Sequence, residues 1–270
     1  QNLKYVVFDE IHYYRGVFGS HVANVIRRLK RISNFYGRKL QFICTSATIG
    51  NPIDFVEKMI EESISIVNDN STPRGEKVVI FFNPPLENQK LGLRKSAFEE
   101  TIRISHDFSA RNIQTLVFQI SRRSVEKALK TFQSTYPDAK ILVNAYRSGY
   151  LAQERRQIEN QLRSGQLRLL FSTNALELGM DVGSINNVIM SGYPGSISST
   201  LQQIGRAGRR SNLSSAILIA NSSPIDQYLI NHPEFVLLRS PESALIDPNN
   251  LLILANHLRC SASELQFEKG

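Results

Sequence analysis

Two adjacent carboxylates, Asp9 and Glu10, follow the apolar run Tyr5–Phe8 near the start of the chain. An apolar run of this length predicts a strand, and in open α/β sheets ligands bind beyond the carboxyl ends of strands. At such a place one carboxylate can hold a magnesium ion on nucleotide phosphates, and the other can orient and deprotonate the attacking water. The pair therefore indicates phosphoryl transfer, although adjacent acids taken alone are also typical of a solvated loop.

Small hydroxyl residues end the next apolar run, residues 40–45, in the order Ser-Ala-Thr. Such side chains at a strand end can hydrogen-bond the acidic loop beside them and relay its state to a neighbouring domain. The tripeptide alone is weakly specific. Following Asp-Glu-x-His at this interval, it predicts that Ser46 and Thr48 couple the acidic site to the rest of the protein.

A third apolar run, residues 167–171, ends in Ser172 and Thr173 and continues into a turn that contains Gly179 and Asp181. The Thr173 hydroxyl can donate to a nucleic-acid phosphate, and the glycine permits close approach of the backbone. Asp181 can accept from a ribose hydroxyl or from an arginine. An ordinary strand-to-helix turn with a glycine cap is the alternative interpretation.

Two arginines, Arg206 and Arg209, lie three positions apart and share one face if this segment is helical. Two guanidinium groups presented together match the charge of a triphosphate in its transition state. An arginine finger accelerates phosphoryl transfer by roughly a thousandfold or more. Glycines in a basic helix are a poor choice for stability, so Gly205 and Gly208 favour the functional interpretation.

The elements that position these residues alternate between short β-rich runs and helical patterns, which is typical of strand–helix–strand units around a parallel sheet. A helix is predicted over His21 to Ile32, led by Gly19-Ser20, with a basic run that is typical either of a solvated face or of a nucleic-acid contact. We predict strands at residues 5–8, 40–45, 78–82, 115–118, 140–144, 167–172, 187–191 and 215–220.

Composition changes divide the chain into four parts. Polar turn formers at residues 68–75 predict an interdomain linker between a first part, residues 1–67, and a second part, residues 76–220. Near residue 221 the alternation stops, and residues 221–270 predict a helical extension interrupted by prolines. We expect this extension to lead into a region that the sequence lacks.

Charge and cysteine content narrow the class of protein. A net charge of +8 favours a polyanionic partner, because Lys and Arg release counterions from phosphates, but a charge of this size also favours solubility.

Cys44 and Cys260 lie too far apart in the sequence to form a metal knuckle, and two cysteines are too few for a disulfide framework. We therefore expect both to be reduced thiols. No run approaches the roughly 20 apolar residues that cross a membrane, and no signal peptide is visible, so we expect a cytoplasmic protein without a membrane partner.

Four motifs in order carry a family resemblance. Asp-Glu-x-His, Ser-Ala-Thr, Ser-Thr-x4-Leu-Gly-x-Asp and Gln-x2-Gly-Arg-x-Gly-Arg resemble motifs II, III, V and VI of superfamily 2 helicases. Residues 14–22, 146–150 and 257–260 further resemble the YprA/Mrf type of DEAD/DEAH-box DNA helicases, which carry a C-terminal zinc-binding domain. The resemblance implies an α/β fold with RecA-like parallel sheets, as a partial first domain (1–67) and a complete second domain (76–220).

The resemblance also implies roles for residues, with ATP and Mg²⁺ as cofactors. Asp9 and Glu10 would be the Walker B acids, and His12 would pair with Gln202 to link hydrolysis to domain closure. Arg206 and Arg209 would be catalytic fingers. The nucleotide contacts would be Asp9, Gly179, Asp181, Arg206 and Arg209; the nucleic-acid and coupling residues would be Ser46, Thr48, Ser121, Arg122, Arg147, Ser172 and Thr173. For Arg147, a surface salt bridge is the alternative.

Departures from the family pattern limit what is expected of the chain. No Gly-Lys-Thr or Gly-Lys-Ser phosphate loop occurs, so the chain by itself is expected not to hydrolyse ATP. Leu178 stands where many RNA-unwinding relatives have arginine, which favours DNA. The four-cysteine zinc cluster of the family is absent.

We therefore expect part of an ATP-dependent helicase whose partner is single-stranded or duplex DNA; the resemblance implies that it moves 3′ to 5′ on single-stranded DNA and separates duplex DNA during repair. Its expected partners within the parent protein are the missing start of the first domain and a C-terminal domain. Two alternatives stay open: a helicase of the Lhr type or an RNA-directed DEAH type, and a non-catalytic nucleic-acid-binding remnant of a split gene.

Overall fold

The computed structural model describes residues 2–69, 75–139, 142–177, 185–208 and 213–267. Strands and helices alternate along most of this length. The strands are β1 Tyr5–Phe8, β2 Gln41–Cys44, β3 Lys77–Phe82, β4 Leu86–Asn88, β5 Leu93–Arg94, β6 Thr115–Phe118, β7 Leu142–Tyr146, β8 Leu167–Ser172, β9 Asn187–Ser191 and β10 Ser214–Ile219. The helices are α1 Gly16–Phe35, α2 Pro52–Ile60, α3 Ala97–Ala110, α4 Arg122–Thr135, α5 Ala152–Arg163, α6 Ile197–Gly205, α7 Pro224–Asn231, α8 Glu234–Leu237 and α9 Leu251–Glu264.

The described residues form two compact units, one drawn from residues 1–70 and 240–270 and the other from residues 71–239. Residues 240–267 therefore pack with the N-terminal part of the chain, while α7 and α8 stay with the second unit. The composition change near residue 221 does not coincide with this division, because composition does not reveal which distant segment covers an apolar face. The domain assignment itself stays a prediction.

In the first unit, β1 and β2 pair in parallel, with Phe8 opposite Cys44. One face of this pair packs on a core that α1 and α2 supply. Helix α9 lies against α1. Burial raises the pKa of the Cys44 thiol to about 11, so this cysteine stays protonated at neutral pH. Cys44 and Cys260 are both free cysteines in the structure.

Helix α1 is longer than predicted. It begins at Gly16 and therefore includes Gly19 and Ser20, which we had placed just before the helix. Gly19 has a packing role: a Cβ atom there would collide with the carbonyl group of Tyr14 and with the side chain of Ile246. The glycine therefore allows the preceding turn and the returning C-terminal segment to approach the helix closely.

The basic run on α1 has partners within the first unit. Its four members are Arg27, Arg28, Lys30 and Arg31, and each one contacts an acid or a carbonyl group. The partners are Glu61 for Arg27, Glu264 for Arg28, Glu62 for Lys30 and the carbonyl oxygen of Ser261 for Arg31. The run therefore stabilises intramolecular packing, and its cations are not freely solvated.

The second unit is built on a six-stranded parallel sheet in the order β3-β10-β9-β6-β8-β7. Helices cover both faces, since α3 and α4 pack on one core and α5 and α6 on the other. Strands buried on both faces read as continuous apolar runs, which explains why β6, β8, β9 and β10 were visible in the sequence. The α/β fold with a parallel sheet is confirmed, and the predicted strands are present where they are described, with ends that match or are shifted by at most two residues.

One feature of the second unit was not predicted. The hairpin of β4 and β5 lies before α3 and was not recognised in the sequence. Residues 140 and 141, which we placed at the start of β7, lie outside the described residues. Within the part of the chain that the structure describes, no helix combines the length and the apolar character needed to cross a membrane.

Candidate functional site

The acidic turn after β1 is held against the end of β2 by backbone hydrogen bonds. The amide of Thr45 donates to the carbonyl oxygen of Phe8, and the amide of Ile11 donates to the carbonyl oxygen of Thr45, each at 2.8 Å. These bonds continue the parallel ladder past the last strand residues. Asp9 and Glu10 therefore leave the sheet beside Thr45.

The Thr45 side chain contacts both acidic residues. Its hydroxyl donates to Asp9 Oδ1 at 2.5 Å and accepts from the amide of Glu10 at 3.3 Å. Thr45 was not predicted from the sequence, where the hydroxyl role was assigned to Ser46 and Thr48. The only available signal was a polar residue at the end of an otherwise apolar run.

Glu10 adopts a left-handed backbone conformation, with φ 52° and ψ 52°. A non-glycine residue reaches this region at a cost and persists there only when neighbouring contacts hold it. The turn thereby directs the Glu10 carboxylate towards His12, whose Nδ1 lies 3.5 Å from Glu10 Oε2. A 3-10 turn over Ile11–Tyr13 follows directly.

His12 is buried, with 7 % of its surface exposed. Its Nδ1 lies 3.0 Å from Ser46 Oγ, so the structure brings together two residues that the motifs suggested. Burial lowers the pKa of His12, and the nearby Arg15 cation lowers it further. The ring is therefore neutral at pH 7. Thr48, the third residue of the tripeptide, is also buried.

In the second unit, Ser121 and Arg122 lie where β6 gives way to α4. Ser121 is the N-cap of α4 and accepts from the amide of Ser124 at 3.1 Å. The Arg122 guanidinium donates to Ser148 Oγ at 3.0 Å. Both predicted residues are thus at a helix N-terminus, where phosphate oxygens are favourably bound.

Arg147 forms the salt bridge that was the alternative interpretation. Its Nε donates to Glu126 Oε1 at 2.8 Å, and Tyr150 donates to the same oxygen at 3.1 Å. The hydrogen bond from Arg147 lowers the pKa of Glu126, so this carboxylate is ionised at neutral pH. The guanidinium also lies over the Tyr150 ring.

The end of β8 carries the two predicted hydroxyl residues. Ser172 is fully buried, and its hydroxyl donates to the carbonyl oxygen of Thr173 at 2.9 Å. This contact supports the turn after β8, and the predicted role of Ser172 stays a prediction. The Thr173 hydroxyl accepts from the amide of Ala175 at 3.3 Å as the cap of the following turn.

Helix α6 carries Gln202, and Arg206 follows its last residue as the C-cap; both were predicted to be catalytic. Arg206 is buried, with 6 % of its surface exposed, and its Nε donates to the carbonyl oxygen of Glu177 at 3.0 Å. Its Nη2 donates to the same oxygen. Arg209, Gly179 and Asp181 lie outside the described residues, so their predicted roles stay predictions.

A buried acid, Glu177, joins this region and was missed in the sequence. Its Oε1 accepts from Ser199 Oγ at 2.7 Å and from Gln203 Nε2 at 2.5 Å. Burial raises the pKa of Glu177, and the hydrogen bonds from Ser199 and Gln203 oppose that shift. Hydrogen bonds from successive turns of α6 therefore hold that helix against the turn that follows β8. A charged residue inside the otherwise apolar Ala-Leu-Glu-Leu segment was the available signal.

Comparison with known proteins identifies both regions. The DEAD/DEAH box helicase family matches residues 1–56, and the helicase conserved C-terminal domain matches residues 96–211. The chain is 51 % identical over 269 residues to the ATP-dependent helicase YprA of Bacillus subtilis (strain 168), covering 99 % of this chain and 36 % of that protein.

Crystal structures of the DUF1998 helicase MrfA match the fold closely. The DNA-bound form has a TM-score of 0.94 and 52 % identity over 98 % of this chain and 36 % of that chain. The form bound to DNA and AMPPNP has a TM-score of 0.92 and 51 % identity over 98 % of this chain and 37 % of that chain. The chain belongs to the YprA/Mrf type of superfamily 2 helicases. It spans about a third of the length of these relatives.

Within this YprA/Mrf-type chain, the two matched regions contain the motifs that the sequence singled out. The DEAD/DEAH box match includes the acidic turn and Ser46, and the C-terminal match includes Ser121, Thr173 and Arg206. The RecA-like fold expected of the family is confirmed by these structural neighbours.

The acidic turn of this YprA/Mrf-type chain fits a magnesium ion. Asp9 is exposed, and Thr45 hydrogen-bonds one carboxylate oxygen while the described residues place no partner on the other. Mg²⁺ usually takes one or two carboxylates and completes its shell with waters and substrate phosphates. The described residues contain no group of three or more His, Cys, Asp or Glu side chains that could hold a metal.

Proposed function

We propose that this chain forms part of an ATP-dependent DNA helicase that moves 3′ to 5′ and separates duplex DNA during repair. The observation that carries the proposal is the 52 % identity to MrfA, whose structure contains DNA. The relative YprA is likewise named an ATP-dependent helicase. Because the chain covers about a third of these proteins, activity, substrate and cytoplasmic location are proposed for the complete polypeptide.

The acidic turn would perform the chemistry of ATP hydrolysis. Asp9 would hold Mg²⁺, which neutralises charge on the nucleotide phosphates. Glu10 would orient the attacking water and accept its proton. The neutral His12 ring, in contact with Ser46, would relay the state of this turn, and Gln202 is its proposed counterpart in domain closure.

Arg206 and Arg209 would stabilise the charge that develops on the transferred phosphoryl group. Arg206 donates a hydrogen bond to the carbonyl oxygen of Glu177 in this structure, so we propose that this contact holds the guanidinium group in the position from which it acts. Asp181 and Gly179 would contact the nucleotide, as the family resemblance implies. Ser121, Arg122 and Thr173 would bind the DNA backbone, with Arg147 supporting them through Glu126.

The proposal is tested by Arg206→Ala and Arg209→Ala in the complete helicase, since the chain contains no phosphate loop. We expect DNA-stimulated ATP hydrolysis to fall by roughly a thousandfold in each variant, because a finger acts on the transition state. Affinity for single-stranded DNA should stay nearly unchanged, as measured by fluorescence anisotropy.

The control is Arg111→Ala, which removes an exposed arginine that donates to the carbonyl oxygen of Asp107 in its own helix. This variant should hydrolyse ATP at the normal rate. Melting temperatures of all variants show whether the loss of the buried Arg206 unfolds the protein. Normal turnover in both finger variants would contradict the proposed function.

A further inference from the structure

We propose that Thr45 is a positioning residue that holds Asp9 and Glu10 in the arrangement used for ATP hydrolysis. The inference rests on the proposed function, because it assigns a purpose to contacts of the same acidic turn. Its basis is one hydroxyl group that reaches both acids, at 2.5 Å from Asp9 Oδ1 and 3.3 Å from the Glu10 amide.

A threonine hydroxyl has one hydrogen to donate and lone pairs to accept with. Here the donated hydrogen goes to the Asp9 carboxylate, and the Glu10 amide donates to the hydroxyl oxygen. The two contacts are chemically linked, since a hydroxyl that accepts from one group becomes a better donor to the next. One side chain therefore constrains both the Asp9 carboxylate and the Glu10 backbone.

The Glu10 backbone needs such a constraint. Its φ of 52° lies in the left-handed region, which a glutamate rarely adopts. The flanking amide of Ile11 is already bonded to the Thr45 carbonyl oxygen at 2.8 Å. Thr45 thus contacts the turn from both sides of Glu10, through its side chain and its main chain. Releasing the hydroxyl would let the Glu10 peptide rotate away from its position.

The Asp9 carboxylate is also given a direction. The hydrogen bond from Thr45 to Oδ1 restrains the carboxylate plane, and with it the direction in which the carboxylate faces a metal ion. Ser46 makes a different contact, since its hydroxyl lies 3.0 Å from His12 Nδ1. Neighbouring hydroxyls thus serve separate purposes: Thr45 positions the acids, and Ser46 contacts the histidine.

The first test needs no nucleotide and uses this chain. Thr45→Val removes the hydroxyl at nearly constant shape, and Thr45→Ser retains it. We expect the Glu10 amide to exchange with solvent deuterium at least about tenfold faster in the valine variant, as a lost hydrogen bond predicts. The serine variant should exchange at the rate of the original chain. Equal exchange in the valine variant would overturn the proposal.

The second test uses the complete helicase. We expect Thr45→Val to lower kcat for ATP by about tenfold, as a misdirected carboxylate predicts, and to raise the half-saturating Mg²⁺ concentration several-fold. KM for ATP and DNA affinity should change little, and Thr45→Ser should restore kcat. Thr135→Val, at the exposed end of α4, is the matched control for removing a threonine hydroxyl.

Glu10→Gln separates this inference from the function on which it rests. If Glu10→Gln hydrolyses ATP normally, the proposed function of the acidic turn fails. If Glu10→Gln is inactive while Thr45→Val keeps normal kcat and normal Mg²⁺ dependence, only the role of Thr45 fails. If the valine and serine variants show the same decrease in melting temperature and have equal kcat, Thr45 stabilises the fold and does not position the two acids.

Discussion

The carboxylate of Glu177 is surrounded by donors from a single helix. It accepts from Ser199 and Gln203, while its main-chain oxygen accepts from Arg206. A buried polar group is stable only when its hydrogen bonds are made. Glu177 therefore links the turn after β8 to the residue that we propose as a finger.

Replacing Glu177 with alanine should lower the free energy of unfolding by about 2 kcal/mol, because buried donors are left without an acceptor. Glu177→Gln keeps one carbonyl acceptor and removes the cost of burying a charge, so it should lose less than half as much. Urea unfolding at pH 7 measures both variants. Equal losses for alanine and glutamine would show that the carboxylate position is unimportant.

Between elements, α1 and α9 meet through a pair of histidines. The Arg28 guanidinium can only donate, so His257 Nδ1, at 3.2 Å from it, must be an acceptor. The hydrogen of a neutral His257 is then on Nε2, which lies 3.0 Å from His21 Nδ1. This arrangement requires both rings to be neutral. Burial lowers the pKa of His257, and Arg28 and His21 lower it further, against the opposing carboxylate of Glu264.

The chain should become less stable as the pH falls below about 6.5, the ordinary histidine pKa. Because the pKa of His257 is lower in the folded chain, the unfolded chain binds more protons there, and stability is lost as the pH drops through the lowered pKa. His257→Gln should reduce the slope of unfolding free energy between pH 7.5 and 5. Some slope should remain, because burial also lowers the pKa of His12. An unchanged slope would contradict this account of the α1–α9 contact.

At the scale of the whole molecule, positive charge is the feature most relevant to a polyanion. The chain carries a net charge of +8, but cations of the basic run on α1 form salt bridges with carboxylates of the same chain. Cations near Ser121 at the start of α4 are therefore better candidates for DNA phosphates. Arg122 is bonded to a serine hydroxyl and not to an acid, so its charge is not neutralised by that contact.

This chain should bind single-stranded DNA weakly, with an affinity that falls steeply as salt rises, because binding releases counterions. Arg122→Gln should reduce the slope of log affinity against log salt by roughly one, as expected for one lost phosphate contact. Arg28→Gln, which alters a cation already paired with Glu264, should leave the slope unchanged. Fluorescence anisotropy titrations over a salt series measure these slopes. Binding that does not depend on salt would exclude a phosphate-based contact.

Local patterns in the sequence were sufficient for the strands of the six-stranded sheet and for the order of the motifs. Strands such as β8 and β9 are buried on both faces, so they appear as apolar runs without reference to any partner. Asp9, His12, Ser46 and Arg206 were recognised because residue type and spacing within short segments carry their chemistry.

Contacts between distant segments could not be predicted in this way. The pairing of Thr45 with Asp9 spans 36 residues, and the contact of His21 with His257 spans 236. The sheet order β3-β10-β9-β6-β8-β7 and the burial of Ser172 likewise arise when separate elements pack together. The physical reason is that these hydrogen bonds form only after strands and helices from distant parts of the chain pack together, and neither partner's neighbours in sequence encode the other's position.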